Sequence, residues 1–347
     1  MANTLLTPNM ITKEALRILH QKLSFIGSIN RQYDDSFAKS GAKIGDTLRI
    51  RMPNKYVVRT GATMQAQDTV ETNTTLQVNN QKGVDLNFTS VDLTLSLDDF
   101  SKRIIEPAMA RLSAEMEKDA FSMYKDVANF VGTAGTVPNA LKTYLQASQK
   151  LADNLAPSTD RYIQTTTDAQ VEIIDALKGL FNAQSELNNQ YKDGLMGRAA
   201  GLDWFQNTLA PTHTNGTQSG TFTVNGAGQT GTSLAVSGNT GTLTKGTVFT
   251  IAGVRAVHPE TGDVTAKLQQ FVVTSDATAS QGTIAIYPDI TASGAYRTVS
   301  ASPASGAVIN VVSGSASTGY GQNLVYQKDA FTFATADLVM PSGVDFS

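Results

Sequence analysis

The spacing of apolar positions changes several times along this chain, and each change predicts a different element. Near the start, Leu16, Leu19, Leu23 and Ile26 recur at intervals of three and four, the period of one helical face. Thr12 is placed to cap that helix and Gly27 to end it. A helix there reads as a docked terminal segment or as an arm on a neighbouring subunit. From Gly41 to about Asp92 the period falls to two. Thr47-Leu48-Arg49-Ile50-Arg51-Met52 alternates, Lys55 to Arg59 is a second strand candidate, and Leu76 to Val78 and Val84 to Phe88 resume the pattern. The polar stretch 61–73 between them predicts the tip of a long hairpin. Such a hairpin has little to bury within itself, so it must lie on something else.

The strongest helical pattern runs from Ser96 to Val131. Ile104, Ala108, Leu112, Met116, Ala120, Met123 and Val127 form one stripe, predicting a helix of about 50 Å at 1.5 Å per residue. Ser96 and Asp99 have capping-box spacing, and Pro107 should kink or interrupt the first turns. Met109, Met116 and Met123 are read as core packing. A mixed region follows: a helix at 140–155, a strand at Arg161–Thr165, a helix capped by Thr167 or Asp168 and running to about Phe181, a short helix at 185–192, and a segment at 201–205 holding the only tryptophan, Trp204.

At Gly216 the composition changes. Residues 216–321 hold 16 of the chain's 28 glycines, with few charges, and short β-branched runs separated by turn residues. Strands are predicted at 220–224, 233–237, 247–251, 270–274, 283–287 and 308–312, with a hairpin tip at Thr261-Gly262-Asp263. This spacing predicts a small antiparallel sandwich or barrel rather than a flexible linker, because the recurring Val, Ile and Phe residues supply a core. From Gln322 onward, ordinary core strand returns.

The overall charge of −3 argues against a basic footprint for nucleic acid. Without cysteine, disulfides and thiolate chemistry are excluded. No apolar run approaches the ~20 residues of a membrane span, and the N-terminus lacks a signal-peptide pattern, which predicts a soluble chain made in a cytoplasm. His20, His213 and His258 are not at metal-ligand spacing, no catalytic motif stands out, and no cofactor or metal site is expected. The Gly-rich run Gly226–Gly231 follows no parallel strand and precedes no helix, so it is a weak phosphate cradle. The acids Asp98, Asp99, Glu106, Glu115, Glu117 and Asp119 read as the solvated or partner-facing side of the long helix. Arg49, Arg51 and Arg59 form a modest basic group suited to pairing with Asp68, Glu71 or Asp92, in the same chain or another. The charged hairpin with Glu260, Asp263 and Lys267 is the candidate contact within the inserted region.

Several segments resemble the P22-like major coat (capsid) proteins of short-tailed double-stranded-DNA phages. They are Met1–Pro8, Ile29–Phe37, Gly45–Arg51, Leu95–Phe100, Glu106–Met109 and Leu268–Val273. The resemblance is close over the first 130 residues and looser beyond. It implies an α+β chain of the HK97-type capsid fold: N-arm 1–40, E-loop hairpin 41–95, P-domain spine helix 96–131, A-domain 132–215, inserted all-β I-domain 216–321, and a return to the A/P core at 322–347. Similar coat proteins continue past a segment like Phe331–Pro341 to complete the P-domain, so the sequence as read stops short or ends its sheet differently. The implied function is an icosahedral shell of hexamers and pentamers that encloses double-stranded DNA without reading its sequence. The implied partners are further copies of the chain, a scaffolding protein, a portal and a decoration protein, with no membrane, and assembly in the bacterial host cytoplasm. The rival from another class is a secreted or surface-attached β-rich adhesion protein.

Overall fold

The computed structural model describes residues 14–15, 23–31, 47–69, 71–77, 80–85, 101–177, 197–238, 240–278 and 282–335. Leu16, Leu19, His20, Asp34, Asp35, Asp92, Ser96, Asp98, Asp99 and the helix expected at 185–192 lie outside the described residues. These residues divide into two compact units.

In the first unit, strand β1 (Thr47–Arg51) pairs antiparallel with β2 (Asn73–Gln77), in a register that sets Thr47 opposite Gln77 and Arg51 opposite Asn73. The Met52 N–H closes the pair on the Thr72 carbonyl at 2.9 Å. The returning strand starts three residues earlier than the apolar pattern at Leu76 predicted. Backbone pairing, not side-chain burial, holds it, since four of its five residues are exposed.

The same unit contains a short helix, α1 (Phe25–Ser28), and the long helix. Gly27 lies inside α1 rather than ending it. The long helix is shorter than its stripe predicted. Its described part runs from a π-helical turn at Ser101–Ile105 into α2 (Glu106–Phe121), and the chain tightens at residue 122 into a 3₁₀ turn, Ser122–Asp126, which belongs to the second unit. Pro107 accounts for the first change. Its ring removes a donor and crowds the carbonyl four residues back, so the wider π spacing ends where proline enters. Phe25 stacks on Phe121 with ring centroids 4.3 Å apart, and Phe331 closes edge-on at 5.8 Å. Asn30 bridges in parallel to Thr332 and its side chain donates to Asp329 at 2.9 Å.

The second unit holds an α/β body and the insertion. The body's sheet has the order β14 (Leu324–Gln327), β3 (Arg161–Thr165), β5 (Leu202–Gln206), β4 (Arg198–Ala199), with β3 and β5 parallel and the other pairs antiparallel. Ile163, Leu202 and Trp204 form one face and pack with Tyr144 of α3 (Leu141–Asp153) and Ile173 of α4 (Thr167–Leu177). Thr166 caps α4, accepting the Ala169 N–H at 3.3 Å, one position before the expected Thr167 or Asp168. Arg161 is buried, and its guanidinium donates to the Ala156 and Pro157 carbonyls at 2.7 Å, tying down the turn that follows α3.

The insertion is a closed six-stranded barrel of order β10-β11-β8-β7-β12-β9. Its strands are β7 (Phe222–Val224), β8 (Gly231–Ser237), β9 (Val248–Val257), β10 (Val264–Val273), β11 (Thr283–Ile290) and β12 (Val308–Val311). All six predicted strands are present, and closure leaves few open edges. Inward residues such as Phe222, Leu234, Phe249, Ile251, Phe271, Ile284 and Ile309 form one buried cluster. The chain enters through β6 (Thr212–Thr214) and leaves through β13 (Gly319–Gly321), which pair antiparallel as a two-stranded neck.

Candidate functional site

The residues expected to touch neighbours fall on two hairpins. On the first, Arg51 reaches Glu71 at 3.5 Å, with both side chains more than half exposed. This is a solvated pair worth about 0–1 kcal/mol. The Arg59 guanidinium turns back onto the Gly61 carbonyl. Among the described residues Arg49, Arg59 and Asp68 make no ion pair. Lys55 to Arg59, predicted as a strand, has no strand partner among the described residues. Instead the Gln67 side chain takes a strand's place: its Oε1 accepts the Val57 N–H at 2.8 Å and its Nε2 donates to the Val57 carbonyl at 2.6 Å. Residues 54–70 belong to the second unit, and there Lys55 lies against the barrel. Its ammonium donates to the Pro259 carbonyl and its N–H to the Tyr296 hydroxyl, each at 3.4 Å.

On the barrel, β9 and β10 form the expected charged hairpin, with Val257 opposite Val264. The His258 N–H donates to the Asp263 carbonyl at 2.8 Å, and Arg297 donates to the Gly262 carbonyl at 3.1 Å. His258 is a turn residue, its Nδ1 accepting the Glu260 and Thr261 N–H groups. Glu260 and Asp263 are exposed, and their carboxylates make no ion pair among the described residues. Lys267 pairs with Asp153 at the end of α3, at 2.5 Å, within the same chain.

That pair is one of three polar clamps between barrel and body among the described residues. Lys245 reaches Asp126 at 2.7 Å. Gln270 holds the backbone of Phe130, accepting its N–H at 3.0 Å and donating to its carbonyl at 2.9 Å, and also accepts from Lys150 at 3.0 Å. Burial pushes the Lys150 ammonium below its ordinary value, with Lys267 adding to this and Asp153 opposing it. Ala128 is buried against Val248 and Val272, with Phe130 packed beside them, so the end of the predicted long helix is extended chain lying on the barrel. Of the predicted stripe, Phe130 serves that contact, beside Ala128, which the stripe did not include.

Beside the clamps, His213 on the neck is buried. Its Nδ1 lies 3.2 Å from the Tyr124 hydroxyl, and the rings meet edge-on at 5.8 Å. Burial lowers the His213 pKa, the Asn215 side chain partly opposes this, and Lys125 adds to the lowering. Burial also pushes the Tyr124 hydroxyl up to about 12.

The acids of the long helix divide in use. Glu115 and Asp119 receive Lys82, at 3.7 and 2.6 Å. Glu117 is not solvated: it is 2% exposed, and its Oε1 accepts the Ser24 N–H, the Ser24 hydroxyl and the Phe25 N–H. A carboxylate thus caps the start of α1, where helix N–H groups lack partners. The sequence read Glu117 with the other acids as the solvated or partner-facing side of the long helix; the structure buries it within its own chain. The glutamines 67 and 270 carried no sequence signal, since a Gln that replaces backbone pairing looks like any polar residue. Among the described residues no group of acids and histidines could hold a metal ion, and no helix is long and apolar enough to cross a membrane.

An α+β chain with a closed barrel set into it through a two-stranded neck, and a long exposed hairpin ahead of its helix, has the build of an HK97-type phage capsid subunit. The family is specific. The family model described as "P22 coat protein - gene protein 5" matches residues 29–345, and the chain belongs to that family of phage coat proteins. Among solved structures, the chain is similar to one titled "Mycobacterium phage Che8", at 12% identity and TM-score 0.41, over 88% of this chain and 91% of that one. It is similar to the "CUS-3 coat protein I-domain" at 29% identity and TM-score 0.23, over 28% of this chain and 98% of that one. It is also similar to one titled "Capsid structure of the Cyanophage P-SCSP1u", at 10% identity and TM-score 0.38, over 54% and 62%. No curated protein sequence matches. The chain is a major capsid protein of a phage virion, and no finding favours the adhesion reading.

Proposed function

We propose that copies of this chain close into hexamers and pentamers of an icosahedral head, assembled in the host cytoplasm with a scaffolding protein and a portal, that then holds double-stranded DNA without reading its sequence. A decoration protein on the outside belongs to the same proposal, as does the division into N-arm 1–40, E-loop 41–95, spine 96–131, A-domain 132–215, I-domain 216–321 and returning core 322–347. The protein's work is mechanical, done by repeated heterologous contacts and not by a pocket. The observation that carries this reading is the exposure of the first hairpin. Val58 is 91% and Met64 80% exposed, with Tyr56 and Val57 at 57% and 50%. Apolar residues gathered on an arm with so little of its own to bury mark a surface for another protein.

Arg49, Arg59 and Asp68 on this arm, and Glu260 and Asp263 on the barrel hairpin, are the charges assigned to contacts between copies. Arg51, Glu71 and Lys267 already have partners within the chain and would contribute by exchanging them. Electron microscopy of purified protein, with and without scaffold, tests the main claim: closed shells of uniform size are expected, and protein that stays monomeric across concentration and salt refutes it. Arg59→Glu and Asp68→Lys should each slow shell formation while Trp204 fluorescence still reports normal unfolding. Unchanged assembly rates would remove those residues from the interface.

A further inference from the structure

The 3₁₀ turn after the long helix, the neck and the barrel meet around a cavity of about 220 Å³. One wall residue, His213, is 3% exposed, and its Nε2 makes no hydrogen bond of ordinary geometry among the described residues: the Asn215 side chain beside it is engaged instead by the Ser313 hydroxyl and by the Ser313 and Ser315 carbonyls. Buried polar atoms in folded proteins nearly always have a partner, from protein or from ordered water. An orphan of this kind on a cavity wall therefore points to what the cavity holds.

The direction of the neighbouring bond says what Nε2 needs. The Tyr124 hydroxyl meets one acceptor among the described residues, His213 Nδ1, at 3.2 Å. With that one acceptor among the described residues, the hydroxyl proton is satisfied by donating there. Nδ1 then carries the lone pair, and the neutral ring carries its proton on Nε2. The cavity must supply an acceptor to that N–H. Gly246 leaves the room the ring occupies. A Cβ there would come within 3.0 Å of His213 Cε1, and its φ of +95° suits glycine.

Volume and lining select the occupant. The space is well above the ~10–15 Å³ that one water needs and below the ~300 Å³ at which small-molecule pockets begin. The Tyr124, Ser313 and Tyr320 side chains on the wall offer further hydroxyl groups to a water that needs two to four partners. The ammonium on the wall, Lys150, is already bonded to Gln270, which weakens the case for an anion. We propose that the cavity is a built hydration site, in which resident water accepts a hydrogen bond from His213 Nε2–H. Water there joins neck to barrel where the apolar surfaces do not close.

Protein labelled with ¹⁵N-histidine tests this at pH 8, with His213 assigned by the signals lost in His213→Gln. The expected result is an unprotonated Nδ1, a protonated Nε2, and an Hε2 signal that persists and shows a cross-peak to water. The opposite tautomer overturns the proposal. So does an Hε2 signal lost to exchange with bulk solvent, or one that persists with no cross-peak to water. A Gly246→Ala variant supplies a second reading: displacing the ring should abolish the water cross-peak while Trp204 still reports a folded body, and an undiminished cross-peak overturns the assigned geometry.

Discussion

Removing the Glu117 carboxylate should release the start of α1 from the long helix. Three donors converge on Glu117 Oε1: the Ser24 N–H at 3.1 Å, the Ser24 hydroxyl at 2.9 Å and the Phe25 N–H. Bonds to a charged group contribute about 1.5–3 kcal/mol each, and a buried backbone donor left unpaired costs about 1–3 kcal/mol. The three share one oxygen, so their effects do not add, and Glu117→Ala should cost about 3–5 kcal/mol, the scale for breaking a buried charged contact. Glu117→Gln keeps an acceptor and the shape but loses the charge, and should cost about half as much. The sole tryptophan sits in the other unit, so its fluorescence is blind to this change. The suitable assay is hydrogen exchange at the Ser24 and Phe25 amides. Glu117→Ala should speed exchange there by two to three orders of magnitude, since 1.4 kcal/mol is about tenfold, with Glu117→Gln between it and the parent. Parental exchange rates in both variants would refute the capping role.

The other predictions concern the junction of barrel and body and the exposed arm. Gln270→Ala removes both bonds to Phe130 and the one to Lys150, and should lower stability by about 2–3 kcal/mol, seen as faster exchange at the Phe130 amide. His213 has a depressed pKa in the folded state, so its contribution is fully present above its unfolded value near 6.5 and is lost as pH falls from there through the folded value. The parent should therefore lose up to about 1.4 kcal/mol per pH unit more than His213→Gln in Trp204-monitored urea unfolding between pH 6.5 and 5; parallel curves refute this. Gly246→Ala forces a Cβ against His213 at a positive φ and should cost about 1–3 kcal/mol by the same urea assay. Gln67→Ala removes a bidentate hold on Val57 at a solvated site, so unfolding should change by no more than about 1 kcal/mol; the cost should appear in the rate of shell formation.

The six strands of the insertion were legible, though not their closure or full lengths: β9 and β10 run ten residues each where five were predicted. Alternating Val, Ile and Phe between glycine turns predicted six strands and an independent core, because strand period and turn chemistry are local properties. The α/β body was legible for the same reason, with Arg161–Thr165 found at its true bounds. The long helix was overread at its C-terminal end. Val127 and Phe130 continue the apolar spacing, but a stripe does not state which surface it meets, and for Phe130 that surface is the barrel. Of the candidate contact residues, the hairpins that carry them were visible, and Glu71 was among the three acids named for the arginines, as Arg51 bears out; the partner of Lys267 was not visible, since Asp153 lies more than a hundred residues away.

By itself the sequence determined that an α+β chain carries a separate all-β insertion, has an exposed polar hairpin and lacks cysteine chemistry, and its motifs placed it among phage coat proteins. Those properties live in short windows: periodicity, composition and turn residues. Only the tertiary structure decided that six strands close into a barrel, that Glu117 is a buried cap, that Gln270 stands in for a backbone partner, and that buried His213 leaves its Nε2 without a hydrogen-bond partner among the described residues. Each of these depends on which distant segments meet, and whether a polar group is solvated, paired or orphaned follows from that meeting and not from the residues beside it in the chain.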